Sequence, residues 1–312
     1  MINIGGQCWV NFHNSQKFRI EGFSLSGVSN WVVLPMKLVW ILMTAVLANP
    51  ACEIDSVKGQ SCDDIKMPKS YAVGRQDGIY KIQLPGQKPA IVECVFKDGI
   101  GYTVIQKRSN GQLSFNRNWD EYKSGFSTWD ALSDNCNVDE YWIGLQNIFQ
   151  LSQKDKHLVI ELERHHGADK ATVEYSFFSI TGARDNYRLL STGPVRDYNN
   201  VGDAFRGADF ASQGYGELDI TDTNHMSMQF STPDRDNDSY KGGNCAQQDS
   251  SGWWFNRCSA VNLNGKYYSN HIYVPSKYGY DDGILWQTWT QNKFESLTAT
   301  KMMLGPGKPI LN

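Results

Sequence analysis

Residues Ser231–Tyr268 read STPDRDNDSYKGGNCAQQDSSGWWFNRCSAVNLNGKYY, and this stretch decides how the whole chain is understood. Asp234, Asp236 and Asp238 stand at alternate positions, so one loop can turn several carboxylates to the same side. Calcium takes about 6–8 oxygen ligands at about 2.3–2.6 Å from carboxylates, carbonyls and water, and this loop can offer them. An EF-hand is excluded, because its sixth position is Ser239 rather than glycine and its twelfth is Cys245 rather than glutamate. Magnesium suits the loop less well, since it holds on to its waters. The plain alternative is a solvated acidic turn. Asn237-Asp238-Ser239 matches a glycosylation acceptor, but a glycan there would sit inside the metal loop. Cys245 and Cys258 then bound a loop short enough to close, and a bridge of that span stabilises by about 3 kcal/mol.

The rest of the composition narrows the class. A chain of 312 residues forms one large domain or two modest ones. With 30 basic and 33 acidic residues and no basic run, it lacks a nucleic-acid footprint. Ten Trp, 15 Tyr and 14 Phe fit either a rigid aromatic core or a recognition surface.

Met36-Lys37 precedes eleven mostly apolar residues, Leu38–Ala48, which read as a secretory signal cleaved after Ala48 or Ala51. The apolar run is shorter than the ~20 residues of a spanning helix. Met36 is the expected working start, so residues 1–35 are an upstream extension, 36–51 the signal and 52–60 a short tether. Removing 1–51 discards Lys17, Arg19, Lys37 and Glu21, which takes 30 basic and 33 acidic residues to 27 and 32. Cys8 goes too, leaving Cys52, Cys62, Cys94, Cys136, Cys245 and Cys258. An even count behind a signal favours disulfides over thiol chemistry, with fifteen connectivities open. Zinc spacing of the C-x2-C kind is absent from these cysteines.

Alternation predicts strands over Tyr102–Lys107, Lys156–Glu163 and Ala171–Phe177, and a short helix over Leu145–Ser152. Beyond Thr181, Gly, Asn, Asp and Ser predict long functional loops. No G-x-S-x-G occurs, and the six histidines stand near no nucleophile motif. His165 and His166 are adjacent, so on a continuing strand they face opposite ways, which makes shared ligation difficult. The chain therefore reads as a binding protein and not an enzyme.

Ordered motifs carry a further reading. Ser61-Cys-Asp-Asp-Ile65, Asp77-Gly-Ile-Tyr80, Gly101–Ser109, Phe115–Phe126, Glu140–Ile148, Gly202–Asp209, Asn244-Cys-Ala246, Gly252-Trp-Trp254 and Asn262–Gly265 together resemble the fibrinogen C-terminal domain family over about residues 60–305. The resemblance implies one α+β domain at 61–305, mostly antiparallel sheet with short helices and a loop-rich C-terminal calcium-binding lobe, followed by a tail at 306–312. It implies Cys62–Cys94 and Cys245–Cys258 bridges. Cys52 and Cys136 are then left to pair together or to cross-link copies of the chain into a homo-oligomer. The family's Ca2+ ligands fall on Asp236 and Asp238 with carbonyls of Tyr240 and Gly242. An inserted residue lets Gly243 take the place of Gly242, and Asp234 stands outside the ligand set. The family's pocket falls on Asn256, Arg257, Cys258, Ser259, Tyr280 and Asp281, with a cis peptide bond between Arg257 and Cys258. Many lectins of the family carry His where this chain has Ser259. Gln248, Asp249 and Asp281 resemble instead the fibrinogen pocket that accepts a positively charged chain end.

The expected function is that of a secreted, extracellular, calcium-dependent, lectin-like module binding acetylated or related glycans on microbial surfaces in innate immunity. The alternative is a protein ligand in cell adhesion or developmental signalling, whose acidic pocket takes a cationic peptide end.

Overall fold

The computed structural model describes residues 2–4, 7–11, 17–19, 59–65, 76–128, 138–154, 156–192, 195–197, 199–208, 220–271, 282–290 and 295–307. The chain divides into two compact units, Met1–Asn49 and Pro50–Asn312. Within the first, Ile2–Ile4, Gln7–Asn11 and Lys17–Arg19 form a three-stranded antiparallel sheet. The apolar segment Leu38–Ala48, Cys52 and Cys136 lie outside the described residues.

The second unit is organised by a nine-stranded antiparallel sheet. Its strands are β1 (Gly78–Ile82), β2 (Ala90–Lys97), β3 (Ile100–Arg108), β4 (Phe126–Ser127), β5 (Tyr141–Trp142), β6 (Lys156–Arg164), β7 (Asp169–Tyr175), β8 (Val195–Asp197) and β9 (Ala299–Pro306). The main path runs β8-β7-β6-β9-β3-β2-β1, with β5 pairing β3 and β4. The three strands anticipated from alternation are all present, as β3, β6 and β7. In β6, Leu158, Ile160 and Leu162 are buried while Glu161 and Glu163 stand half-buried on the other face.

Helix α1 (Trp119–Ser124) has its ends written in sequence. Asn118 Oδ1 accepts from Glu121 N at 3.0 Å and Glu121 Oε2 accepts from Asn118 N at 3.0 Å, a reciprocal capping box. Gly125 closes it at φ 97°, where an added Cβ would lie 2.7 Å from the Ile143 carbonyl oxygen. Helix α2 spans Leu145–Leu151, as its spacing predicts, and buries Leu145, Ile148 and Leu151.

The aromatic richness is spent largely on the core. Trp142, Trp253, Trp254 and Trp286 are fully buried, together with Tyr122, Phe205 and Phe230. They meet mostly edge-on or tilted, as in Tyr122–Trp142 at 5.7 Å and Trp253–Trp254 at 5.1 Å between centroids. Such contacts add about 0.5–1.5 kcal/mol beyond their buried area.

Cys62 and Cys94 are joined, which ties the start of the domain to β2. Gln83 N donates to Gly59 O at 2.8 Å, and β9 runs to Pro306. A buried ion pair braces the domain from within. Arg108 Nε is 3.2 Å from Glu140 Oε1, and both side chains are sealed from solvent. Glu140 also accepts from the backbone of Ser109, Gly111 and Leu113, while Arg108 Nη1 donates to Gly265 O at 2.5 Å. The pair thus fixes the β3–α1 connection against the C-terminal lobe. Among the described residues, no helix is long and apolar enough to cross a membrane.

Candidate functional site: an acidic loop and a disulfide-tied pocket wall

The loop after Phe230 starts as a small bridged turn. Ser231 pairs with Trp253 and Thr232 with Arg235. Asp234 is engaged elsewhere in the fold. Its Oδ1 accepts from Trp119 N at 2.9 Å and from Thr232 Oγ1 at 2.7 Å, which anchors the loop to the start of α1. Asn237 turns inward as well, donating to Phe230 O at 2.7 Å and accepting from Asn186 at 3.2 Å. Its amide is therefore engaged within the fold.

Asp236 and Asp238 remain. Asp236 is exposed and Asp238 half-buried. Asp236 Oδ1 accepts from Asp238 N at 3.2 Å, and Asp238 accepts from Tyr240 N and Cys245 N, both at 2.8 Å. Burial, reinforced by the neighbouring Asp236 carboxylate, raises the Asp238 carboxyl to about 6. Paired acids held together in this way favour a positive charge between them. With the carbonyls of Tyr240 and Gly242, or Gly243, the donors are all oxygen, a set that suits calcium. Among the described residues, no three His, Cys, Asp or Glu side chains already converge as a complete ligand shell. A calcium site here would draw on backbone carbonyls and water as much as on carboxylates.

The loop is joined to the segment Asn256–Ser259 behind it. Asn244 caps the short helix α3 (Cys245–Gln248) by accepting from Gln247 N at 2.9 Å. Cys245 is bridged to Cys258. Ser239 N donates to Asn256 O at 3.2 Å, and the Ser239 hydroxyl bonds the Asn256 side chain. Asn256 Nδ2 donates to the carbonyls of Thr221 and Asn224 at 2.8 and 3.0 Å. The Arg257–Cys258 peptide is cis, and Arg257 N donates to Asp222 O at 2.9 Å.

His225 holds this wall from beneath. Its ring is fully buried, with Nδ1 2.8 Å from Trp254 O, and Nε2 accepts from Ala260 N at 3.0 Å and Val261 N at 3.2 Å. Only the neutral Nδ1–H tautomer satisfies all three contacts. Burial pulls its pKa down from 6.5 to about 4, against the opposing pull of the Trp254 carbonyl. The histidines other than His165 and His166 carried no structural reading in the sequence, and His225 proves to be a central strut. Its partners lie 29–36 residues away, so no local motif marks it.

Of the sequence-predicted pocket residues, the structure brings together Gln248, Asp249, Asn256, Arg257, Cys258 and Ser259. Tyr280 and Asp281 lie outside the described residues. Asp249 is enclosed by the fold. It is 3 % exposed, and Ser259 Oγ lies 3.3 Å from its Oδ2. Arg257 is exposed, 3.5 Å from Asp222. Asp282, next to the undescribed Tyr280 and Asp281, is 5 % exposed, accepts from Tyr268 OH at 2.7 Å and faces Lys266 at 3.9 Å.

The family model for the fibrinogen beta and gamma chains' C-terminal globular domain matches residues 59–307. The chain belongs to the fibrinogen C-terminal domain family. The fibrinogen gamma chain of Petromyzon marinus is 37 % identical over 260 residues, covering 82 % of this chain and 56 % of that one. The human fibrinogen gamma chain is 37 % identical over 261 residues, covering 81 % of this chain and 54 % of that one. This chain thus spans about half the length of the fibrinogen gamma chains it matches. Fibrinogen-like protein 1 of Mesocricetus auratus is 38 % identical over 241 residues, covering 76 % and 70 %. Among solved structures, the lamprey fibrin D-dimer complexed with the peptide ligand Gly-His-Arg-Pro-amide superposes with a TM-score of 0.71 at 33 % identity, covering 89 % of this chain and 85 % of that one. The fibrinogen-like globe domain of human ANGPTL2 gives 0.60 at 32 %, covering 75 % and 94 %. The α+β fibrinogen C-terminal fold and a recognition-module class follow from these matches and the sheet described above.

Proposed function

We propose that this chain is an extracellular recognition module whose pocket takes the cationic end of a peptide, with calcium holding the pocket wall in place. The observation that carries this reading is Asp249. It sets a carboxylate in a water-poor setting beside Gln248, Ser259 and the Cys245–Cys258 bridge. A desolvated carboxylate rewards an ammonium or guanidinium through charge-assisted hydrogen bonds. Likeness to a fibrin solved with a Gly-His-Arg-Pro peptide supports the same chemistry. The Cys62–Cys94 and Cys245–Cys258 disulfides support an oxidising compartment, in keeping with the signal expected at 36–51.

The calcium ligands would be Asp236, Asp238 and the carbonyls of Tyr240 and Gly242. Asp238 reaches Cys245 N and Ser239 reaches Asn256, so the loop and the wall move as one. Ordering the loop therefore positions Asn256–Ser259 for a guest.

Calorimetric titration decides between this reading and the acetylated-glycan one. Gly-His-Arg-Pro-amide should bind in calcium and lose affinity in chelator. Asp249→Asn should weaken it about ten- to a hundred-fold, the worth of one hydrogen bond to a charge. N-acetylating the peptide removes the charge of its terminal amine, leaves the Arg guanidinium and supplies an acetyl group, so it should abolish binding if the pocket takes the chain end. If N-acetylglucosamine binds while the free-amine peptide does not, the glycan reading replaces this one.

A further inference from the structure

The β6–β7 turn and two distant segments gather a second set of ligating side chains, far in sequence from the acidic loop. Strand β6 ends at Arg164, and the chain then turns through His165 and His166 at φ 53° and 51°. The two rings do not point apart as a continuing strand would require. Both contact His271, with centroids 5.0 Å and 5.9 Å away. His271 O accepts from Ser296 N at 2.8 Å, which brings the neighbouring Glu295 into the group.

We propose that His165, His271 and Glu295 form a binding site for a first-row transition-metal ion, zinc being the best fit. Two carboxylates flank His165. Its Nε2 lies 3.0 Å from Glu295 Oε1 and its Nδ1 lies 3.3 Å from Asp169 Oδ2. Donors sharing a tetrahedral zinc with bonds of about 2.1 Å stand about 3.4 Å apart, and two such imidazole centroids stand about 5 Å apart. The His165–His271 rings meet the second dimension at 5.0 Å, and the Nε2–Oε1 pair, at 3.0 Å, must open by about 0.4 Å to admit the ion. Asp169 then occupies the outer position that orients a metal-bound imidazole through its other nitrogen.

Two further atoms point to a missing partner. Glu295 is 7 % exposed, and its Oε1 takes no hydrogen bond even from His165, which is near but out of line. His271 Nδ1 is also sealed and without a hydrogen-bond partner. Buried polar atoms in this state are rare and call for an explanation. Among the described residues no three such side chains already converge as a shell, so metal binding requires this cluster to adjust.

The surrounding charges set the expected strength. Arg164 Nε is 3.1 Å from Asp169 and its Nη1 is 3.8 Å from Glu295, while its guanidinium lies over Trp289. This cation opposes a second one, so affinity should be micromolar rather than nanomolar. His166 is engaged with Ser269 O at 2.8 Å and is not counted as a ligand. Imidazole donors select zinc, copper or nickel over calcium and magnesium, so this site and the acidic loop should sort metals independently.

The test is calorimetric titration of the full, calcium-saturated chain with zinc chloride. One zinc should bind per chain. His165→Ala and His271→Ala should each weaken it at least tenfold, and Asp169→Asn about tenfold. Asp238→Ala should leave zinc binding unchanged. In the wild-type chain, cobalt(II) should give the intense visible absorption of a tetrahedral nitrogen-ligated site. No zinc uptake, uptake indifferent to both histidine variants, or only the faint spectrum of octahedral cobalt would each overturn the assignment.

Discussion

His225 makes the pH dependence of this fold calculable. Its Nε2 accepts two backbone N–H groups, so a proton added there would confront two donors with a third. In the unfolded chain the same imidazole titrates near 6.5, whereas in the fold it titrates at about 4. Above pH 6.5 both states are neutral and the full stability is present. Between pH 6.5 and 4 the unfolded chain takes up a proton that the folded chain refuses, so stability falls with pH. The gap of about 2.5 pH units, at about 1.36 kcal/mol each, amounts to about 3 kcal/mol lost by pH 4. Asp238 acts in the opposite sense below about pH 6, because its folded pKa is raised. Its contribution is common to the wild type and to a non-titrating variant, so the difference between the two isolates His225. The assay is urea unfolding of wild type and His225→Gln from pH 7.5 to 4. The variant is expected to start less stable, and the gap should close by about 3 kcal/mol as pH falls. Parallel stability curves across that window would refute the assignment of His225 as a buried neutral acceptor.

Other consequences are as definite. Glu140→Ala strands a buried Arg108 and the N–H groups of Ser109, Gly111 and Leu113, and should cost about 3–5 kcal/mol in denaturant unfolding. Replacing Cys245 and Cys258 together by Ala frees a loop of separation 13 and should cost about 3 kcal/mol, with a lower melting temperature. Asp238→Ala should abolish the rise in melting temperature produced by calcium. Asp234→Ala should preserve that rise while lowering the melting temperature in calcium and chelator alike, because Asp234 serves Trp119 and Thr232.

The range of each interaction decides whether the sequence displays it or hides it. The Cys245–Cys258 loop and the Asp236/Asp238 pair are local, so spacing exposes them. Strand β6 is legible because Leu158, Ile160 and Leu162 alternate with charge. Strand β9, ATKMMLGP, buries Thr300, Met302, Met303, Leu304 and Gly305 and shows no alternation to read. Asp234 shares the spacing of the cation ligands, yet a backbone N–H 115 residues away claims it. The His165-His166 turn breaks strand periodicity by adopting positive φ without glycine, which composition does not announce. Asp249 reads as a pocket acid only through its resemblance to the fibrinogen pocket, and its burial beside Ser259 is visible only in the fold.

The placement of β9 has a consequence for how this protein comes into being. The segment Ala299–Pro306 lies between β3 and β6, bonded to both, in the middle of the sheet. A ribosome therefore delivers the keystone after almost everything it must join. Until then the inner edges of β3 and β6 stand open, presenting unpaired backbone to any passing strand. A nascent chain of this design needs shelter until Ala299–Pro306 emerges, and a stop placed before Ala299 would split the sheet down its centre.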